Sequence, residues 1–244
     1  ARAALAREYG EACGAGDVPL GFVVLAMGKL GGQELNLSSD VDLVYLYEAD
    51  AGETTGGRET LSPRAFFTRL SELITRTLQE VTEDGFAFRV DLRLRPDGMN
   101  GPITNSVPNA LLYYESYGQT WERTALLKAR PCAGDSLLGD LFLREIRPFV
   151  YRRYLDYSTV EDMQRMKQQI DLHTARKGGD GDVKLGRGGI REAEFVVQVF
   201  QLIYGGRDER VRCRSTVQAL AKLIECRYLP ANEGEALIAA YRFL

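Results

Sequence analysis

With 244 residues, 45% of them hydrophobic and 27% charged, the chain can bury a sizeable core, and its length suits one large domain or two modest ones, not a disordered or fibrous chain. Its 31 Lys plus Arg against 34 Asp plus Glu leave a formal charge of -3, which argues against a surface that coats a nucleic acid backbone. Cys13, Cys132, Cys213 and Cys226 form no C-x-x-C pair and His173 is the single histidine, so neither a zinc site nor a disulfide framework has its spacing. No basic-then-apolar leader opens the sequence, and the most apolar stretch, 20–27, is too short to span a bilayer. The expectation is a cytoplasmic protein with reduced thiols and neither a membrane nor a nucleic acid as partner. Ala1 stands where an initiator Met would, and 236–244 ends inside a helical pattern without a stop signal, so a segment of a longer protein is expected.

In chain order, an Ala-rich helical lead (1–12) precedes a buried strand at 18–27, which runs into the glycine turn Gly28-Lys29-Leu30-Gly31-Gly32. A second strand, 41–47, begins directly at Ser38-Ser39-Asp40. Residues 63–80 carry helical periodicity, and a third strand, 86–94, alternates strictly. From about Pro108 onward the strand signals vanish, and helices are predicted at 110–117, 120–129, 137–154, 159–177, 189–204, 216–227 and 232–244. Ser158 with Glu161 has the pattern of a capping box, and 177–182 reads as a flexible break. The fold class expected is α+β, a small mixed sheet followed by an all-α helical bundle truncated at its C-terminal end, with domains at 1–134 and 135–244.

Asp40 and Asp42 are two apart at the mouth of a strand, so they point to one face and can share a cation. In the third strand Phe86, Phe88, Val90, Leu92 and Leu94 fall on one face, leaving Arg89, Asp91, Arg93 and Arg95 on the other. Neighbouring carboxylates repel, and keeping them ionised calls for positive charge. Mg²⁺ or Mn²⁺ held by such carboxylates and by substrate phosphates would supply it, giving a two-metal phosphoryl site. A lone D-x-D is more often a solvated strand start. The glycine turn upstream shifts that balance, because backbone N–H groups at the start of a helix can approach a phosphate.

Gly28-Lys29, Asp40-Val41-Asp42-Leu43 and Val90-Asp91-Leu92 resemble the polymerase-beta-type nucleotidyltransferase pattern. That superfamily commonly has Gly-Ser or Gly-Gly where this chain has Gly28-Lys29, and Ser38 or Ser39 can supply the phosphate-contacting hydroxyl. The fuller string from Gly28 through Leu43, with Arg89-Val-Asp-Leu-Arg-Leu-Arg-Pro96 and Trp121-Glu-Arg123, resembles the glutamine synthetase adenylyltransferase family, bifunctional enzymes that attach and remove AMP on a glutamine synthetase tyrosine. The resemblance implies that Asp40, Asp42 and Asp91 are metal-binding catalytic residues, that ATP or ADP and phosphate are substrates or products, and that glutamine synthetase and a PII-type signal protein are partners. The strings 147–154 and 184–192 resemble the amino-terminal, AMP-removing half, since the adding half usually has a more acidic loop in the second place. Phosphorolysis brings phosphate to an anionic diester, which suits a basic loop. Forward transfer from ATP, or a non-catalytic nucleotide sensor, are the alternatives.

Gly28, Lys29, Ser39, Arg93, Arg95, Lys184, Arg187 and Arg191 are the candidate phosphate and nucleotide contacts, because guanidinium forks, ammonium groups and helix openings suit phosphate oxygens. Lys128 and Arg130 end a predicted helix, where a cation is favourable for dipole reasons alone. Trp121 is expected as a core anchor, His173 as a half-buried packing residue and the cysteines as small apolar packers. Glu192 and Glu194, two apart on a helix, cannot both face one ion.

Overall fold

The computed structural model describes residues 1–37, 39–153 and 189–243. Its first elements are helix α1 (Arg2–Tyr9), strand β1 (Gly10–Cys13), strand β2 (Phe22–Ala26), the four-residue helix α2 (Gly28–Gly31) and strand β3 (Val41–Tyr47). Strand β4 (Glu53–Gly56), helix α3 (Pro63–Gln79), strands β5 (Val90–Asp91) and β6 (Thr104–Ser106) and helix α4 (Val107–Ser116) follow. After them come helix α5 (Thr120–Leu126), strand β7 (Arg130–Gly134) and helices α6 (Ser136–Glu145), α7 (Arg147–Val150), α8 (Ile190–Tyr204), α9 (Thr216–Glu225) and α10 (Ala231–Phe243). The result is mixed α/β, with small sheets and many helices. The chain divides into two compact units, Ala1–Gly118 with Lys128–Arg147, and Gln119–Leu127 with Pro148–Leu244.

In the first unit, β2 and β3 are antiparallel and central, β7 is antiparallel to β2, and β5 and β6 both run parallel to β3 along its other edge. A separate antiparallel pair joins β1 and β4. All five residues of β2 are buried, as a strand covered on both faces should be. One face of β2 and β3 (Phe22, Val24, Val41, Leu43, Tyr45, Tyr47) packs against Phe66, Phe67 and Leu70 of α3. The Phe67 ring stacks on Phe22 at 5.4 Å and on Tyr47 at 5.0 Å between centroids. Helix α3 starts where Ser62 accepts from the Ala65 N–H ahead of Pro63 at its first position. On the opposite face α6 lies so close that a Cβ on Gly139 would come within 2.9 Å of Val23 and 2.6 Å of Pro131. The same face of β3 carries Asp42, the one residue of that strand which is not fully buried.

Several sequence expectations change here. The helical lead stops at Tyr9 and 10–13 is a strand. The strand expected at 86–94 shrinks to Val90–Asp91, because the Arg93 N–H turns back to Asp91 Oδ1 at 2.9 Å and β6 takes over the pairing with Tyr45–Tyr47 of β3. Phe86 and Phe88, set on one face with Val90 by the alternation, lie ahead of the two-residue strand and are exposed. Strand signals do not vanish after Pro108, since β7 pairs with β2 across an irregularity between Val24 and Leu25; its Pro131 has no N–H to give, which suits the edge of a sheet. The helix expected at 137–154 is two, α6 and α7. Trp121 is exposed and not a core anchor, and Cys132 is exposed while Cys13 is buried.

In the second unit, Val197 of α8 packs with Val211, Ala219, Leu220, Leu223 and Leu229. The buried Gln201 amide donates to the carbonyls of Val211 (2.8 Å) and Cys213 (2.7 Å), pinning the 209–213 segment to α8. The helix expected at 159–177, the Ser158–Glu161 capping box, His173 and the break at 177–182 lie outside the described residues. Among the described residues, no helix is long and apolar enough to cross a membrane.

Candidate active site

Parallel pairing of β3 with β5 sets Val41 opposite Val90 and Asp42 opposite Asp91. Residues in parallel register point to the same face, so the two carboxylates are neighbours, and Asp40, two residues ahead of Asp42, joins them at the strand mouth. The Val41 N–H donates to the Arg89 carbonyl at 2.8 Å, which fixes that register just ahead of the Asp42–Asp91 pair. The sequence has these carboxylates 49 residues apart, and the sheet brings them together.

The glycine turn lies against the same group. Gly28 has φ +50, and a Cβ there would come within 2.6 Å of Asp42 Oδ2, so only glycine lets the turn approach the carboxylate this closely. A Cβ on Gly31 would meet the Lys128 carbonyl at 2.1 Å and the Ala26 carbonyl at 2.6 Å, so this residue too must be glycine for α2 to seat between β2 and the 128–130 segment. The Met27 N–H bonds to the Asp42 carbonyl at 2.9 Å, tying the start of the turn to β3.

Two arginines balance the carboxylates. Arg89 meets Asp40 at 2.6 Å, and Arg93 forks onto both oxygens of Asp91 with Nε at 3.0 and 2.8 Å. Hydrogen bonding from the Arg93 side chain, helped by its backbone N–H, holds the Asp91 carboxyl below its ordinary value. Arg93 is raised by the same bond, and the charges of Asp42 and Asp40 add to the effect, so all three aspartates lie within electrostatic reach of one guanidinium. Among the described residues no three carboxylate, imidazole or thiol groups are gathered round a single point; Asp40 and Asp91 instead each face an arginine. The donor set nonetheless fits Mg²⁺ or Mn²⁺: the ligands are hard carboxylate oxygens, two in strand register, with cationic side chains standing where positive charge is needed.

The other candidates separate. Lys29 donates to the Asn36 amide oxygen beside the turn, and Ser39 is half-buried next to Asp40. Arg95 does not face the aspartates as the alternation implied. It is buried, and its guanidinium is taken up by the carbonyls of Leu92 (2.9 Å), Gly101 (3.1 Å) and Pro102 (3.0 Å), which organise the loop before β6. Sequence reasoning missed a clamp on the turn: Lys128 pairs with Glu34 at 3.0 Å, both largely buried, and Arg130 donates to the Leu30 carbonyl at 3.1 Å. No local pattern signals that clamp, because its partners are about a hundred residues apart in sequence.

The sequence profile of the family described as glutamate-ammonia ligase adenylyltransferase matches residues 1–145, more than half of the chain. The chain belongs to that family. Among relatives named bifunctional glutamine synthetase adenylyltransferase/adenylyl-removing enzyme, it is 46% identical to the one from Hahella chejuensis over 98% of its own length and 25% of the relative's. The corresponding figures are 49%, 93% and 23% for the protein of Pseudomonas aeruginosa, and 47%, 99% and 24% for that of Nitrosococcus oceani. This adenylyltransferase-family chain thus spans about a quarter of the length of the curated relatives it matches. The profile described as GlnD PII-uridylyltransferase matches residues 164–244. Within that stretch Arg191 is exposed in the first turn of α8, and Glu194 accepts from the Tyr241 hydroxyl at 3.2 Å, which gives it a partner on α10. Lys184 and Arg187 of the adenylyltransferase-family chain lie outside the described residues.

Proposed function

We propose that this segment carries a metal-dependent site that removes AMP from the adenylylated tyrosine of glutamine synthetase by phosphorolysis. The observation that supports the reading is the strand register of Asp42 with Asp91, with Asp40 and the glycine turn at the same mouth. Asp40, Asp42 and Asp91 are the residues to hold Mg²⁺ or Mn²⁺, which when bound neutralises phosphate charge and stabilises the oxygens that attack and leave. Lys29, Ser39 and Arg93 flank these carboxylates and are suited to orient phosphate oxygens; Lys184, Arg187 and Arg191 are proposed, on the family resemblance alone, as phosphate-binding cations of the reaction. An oxygen of inorganic phosphate attacks the phosphorus of the tyrosyl-AMP diester, the bond from phosphorus to the phenolic oxygen breaks, ADP carries the new P–O–P link, and the phenolate takes a proton from water.

The proposed catalytic domain, 1–134, would take α6 with it, since that helix packs on its sheet, and the rest of 135–244 would be an accompanying all-α bundle. A PII-type signal protein as regulator and a cytoplasmic setting belong to the same proposal; the match of 164–244 to a PII-uridylyltransferase profile supports the regulator only as a likeness. The second reading, AMP addition from ATP, is favoured by the adenylyltransferase part of the relatives' name and uses the same carboxylates. The test is a full-length protein containing this segment, incubated with adenylylated glutamine synthetase and phosphate with and without Mg²⁺. Metal-dependent formation of ADP supports removal, whereas labelling of unmodified enzyme by ATP alone, traced to these aspartates, supports addition.

A further inference from the structure

The loops that enter β3 and β5 lie at the same end of these parallel strands and enclose a cavity of about 520 Å³, lined by Leu35, Leu37, Ser39, Phe86, Phe88 and Arg89 among others. It opens beside the aspartates, since Ser39 adjoins Asp40 and Arg89 is Asp40's ion-pair partner. The lining segment is anchored: the Phe88 N–H donates to the Leu78 carbonyl at 2.9 Å and the Arg89 carbonyl accepts from Val41. Yet Leu37 is 99% exposed, Phe86 51% and Phe88 43%. Large apolar side chains clustered in water at the rim of a cavity mark a surface that another molecule covers.

We propose that this cavity receives the ring of the tyrosine that carries AMP, with the protein segment around it. The proposal rests on the reading of Asp40, Asp42 and Asp91 as the reacting centre. An in-line displacement needs the attacking and leaving oxygens on opposite sides of phosphorus. The glycine turn touches Asp42, whereas the 86–89 wall of the cavity belongs to the loop that enters β5 and meets Asp40 through Arg89, so phosphate held at the turn leaves that wall for the tyrosyl ring. Phe86 and Phe88 offer aromatic contact to a tyrosyl ring, and aromatic anchors of this kind dominate many protein interfaces. Leu37, wholly in solvent, reaches beyond a single ring and so suits a chain segment better than a free nucleotide.

The test uses the full-length protein with Phe86→Ala, Phe88→Ala, the double variant, and Leu37→Ser. All three side chains are exposed enough for the fold to tolerate the change, which a melting curve checks. Binding of adenylylated glutamine synthetase, measured without turnover by interferometry, should weaken about tenfold or more in the double variant, while ADP affinity in Mg²⁺ stays within about twofold. KM for the modified protein should rise with kcat nearly unchanged. Unaltered binding of glutamine synthetase overturns the inference, and so does a loss confined to ADP, which would place the nucleotide base in the cavity. If the wild-type protein binds the modified enzyme through these residues but forms no ADP with phosphate and Mg²⁺, the removal reading falls and the cavity assignment stands. A wild-type protein that fails to bind it at all contradicts both.

Discussion

Gly28→Ala isolates the contact between the glycine turn and Asp42. The new methyl would sit 2.6 Å from Asp42 Oδ2. That is about 0.8 Å short of an ordinary carbon–oxygen contact, so the carboxylate or the turn must move by nearly that much. An L-residue held at φ +50 also carries left-handed strain of about 1–2 kcal/mol. A misplacement near 1 Å in a reacting constellation costs about a hundredfold in rate. Gly28→Ala should therefore lower kcat for ADP formation about a hundredfold, lower stability by only about 1–2 kcal/mol, and leave KM for glutamine synthetase nearly unchanged. Gly16→Ala is the control: its φ is +70 and nothing lies within 4 Å of the added methyl, so it should show the strain without the loss of rate. Stability comes from denaturant melts of the same preparations. Wild-type kcat in Gly28→Ala, or an equal loss of kcat in Gly16→Ala, would refute the placement of the turn against a catalytic carboxylate.

Other outcomes follow from the same geometry. Asp40→Asn and Asp42→Asn should each remove most turnover while the melting transition shifts by no more than about 1 kcal/mol, since each variant also relieves repulsion; near-normal turnover contradicts the metal assignment. Asp91 should titrate below its ordinary value in a carbon-detected NMR titration, and Arg93→Ala should move it up. Because the folded value is depressed, the stabilisation from this pair is present above the ordinary carboxylate range and is lost as pH falls through the folded value. With Arg93 largely in solvent it should amount to no more than about 1 kcal/mol. Lys128→Met strips the buried Glu34 of its ammonium partner and should destabilise by about 3–5 kcal/mol, with a smaller loss when Glu34→Leu is combined with it; additive losses in a double-mutant cycle would deny the coupling. Phe67→Ala, in the ring stack under β2 and β3, should cost about 3–5 kcal/mol, and a loss below about 1 kcal/mol would contradict the packing.

What the sequence made legible was what local pattern controls. Strand β3 is marked by its apolar run and helix α3 by its helical periodicity, and the D-x-D spacing alone puts Asp40 and Asp42 on one face. The glycine turn was visible as punctuation, though not that Gly28 touches Asp42. Strands β4, β6 and β7 were hidden because they are three to five residues long and carry Thr, Asn, Gly or Pro in place of alternating apolar residues. The 86–94 stretch misled because it keeps strict alternation while its pairing ends at Asp91, where Arg93 folds back. That turn keeps Arg93 with Asp91 and sends Arg95 to the loop carbonyls, while Phe86 and Phe88 lie ahead of the strand, in the loop that enters β5. The Lys128–Glu34 clamp depends on long-range packing and has no sequence signature.

Asp40, Asp42 and Asp91 are proposed as an AMP-removing centre, in a chain that spans about a quarter of the length of its curated relatives. The most direct measurement of this claim is on the full-length protein carrying Asp40→Asn together with Asp42→Asn, assayed in parallel for release of ADP from adenylylated glutamine synthetase with phosphate and for labelling of unmodified glutamine synthetase by ATP. Loss of phosphate-dependent release with ATP-dependent labelling preserved is the expected result. Preserved release with labelling lost would assign these carboxylates to AMP addition and contradict the claim.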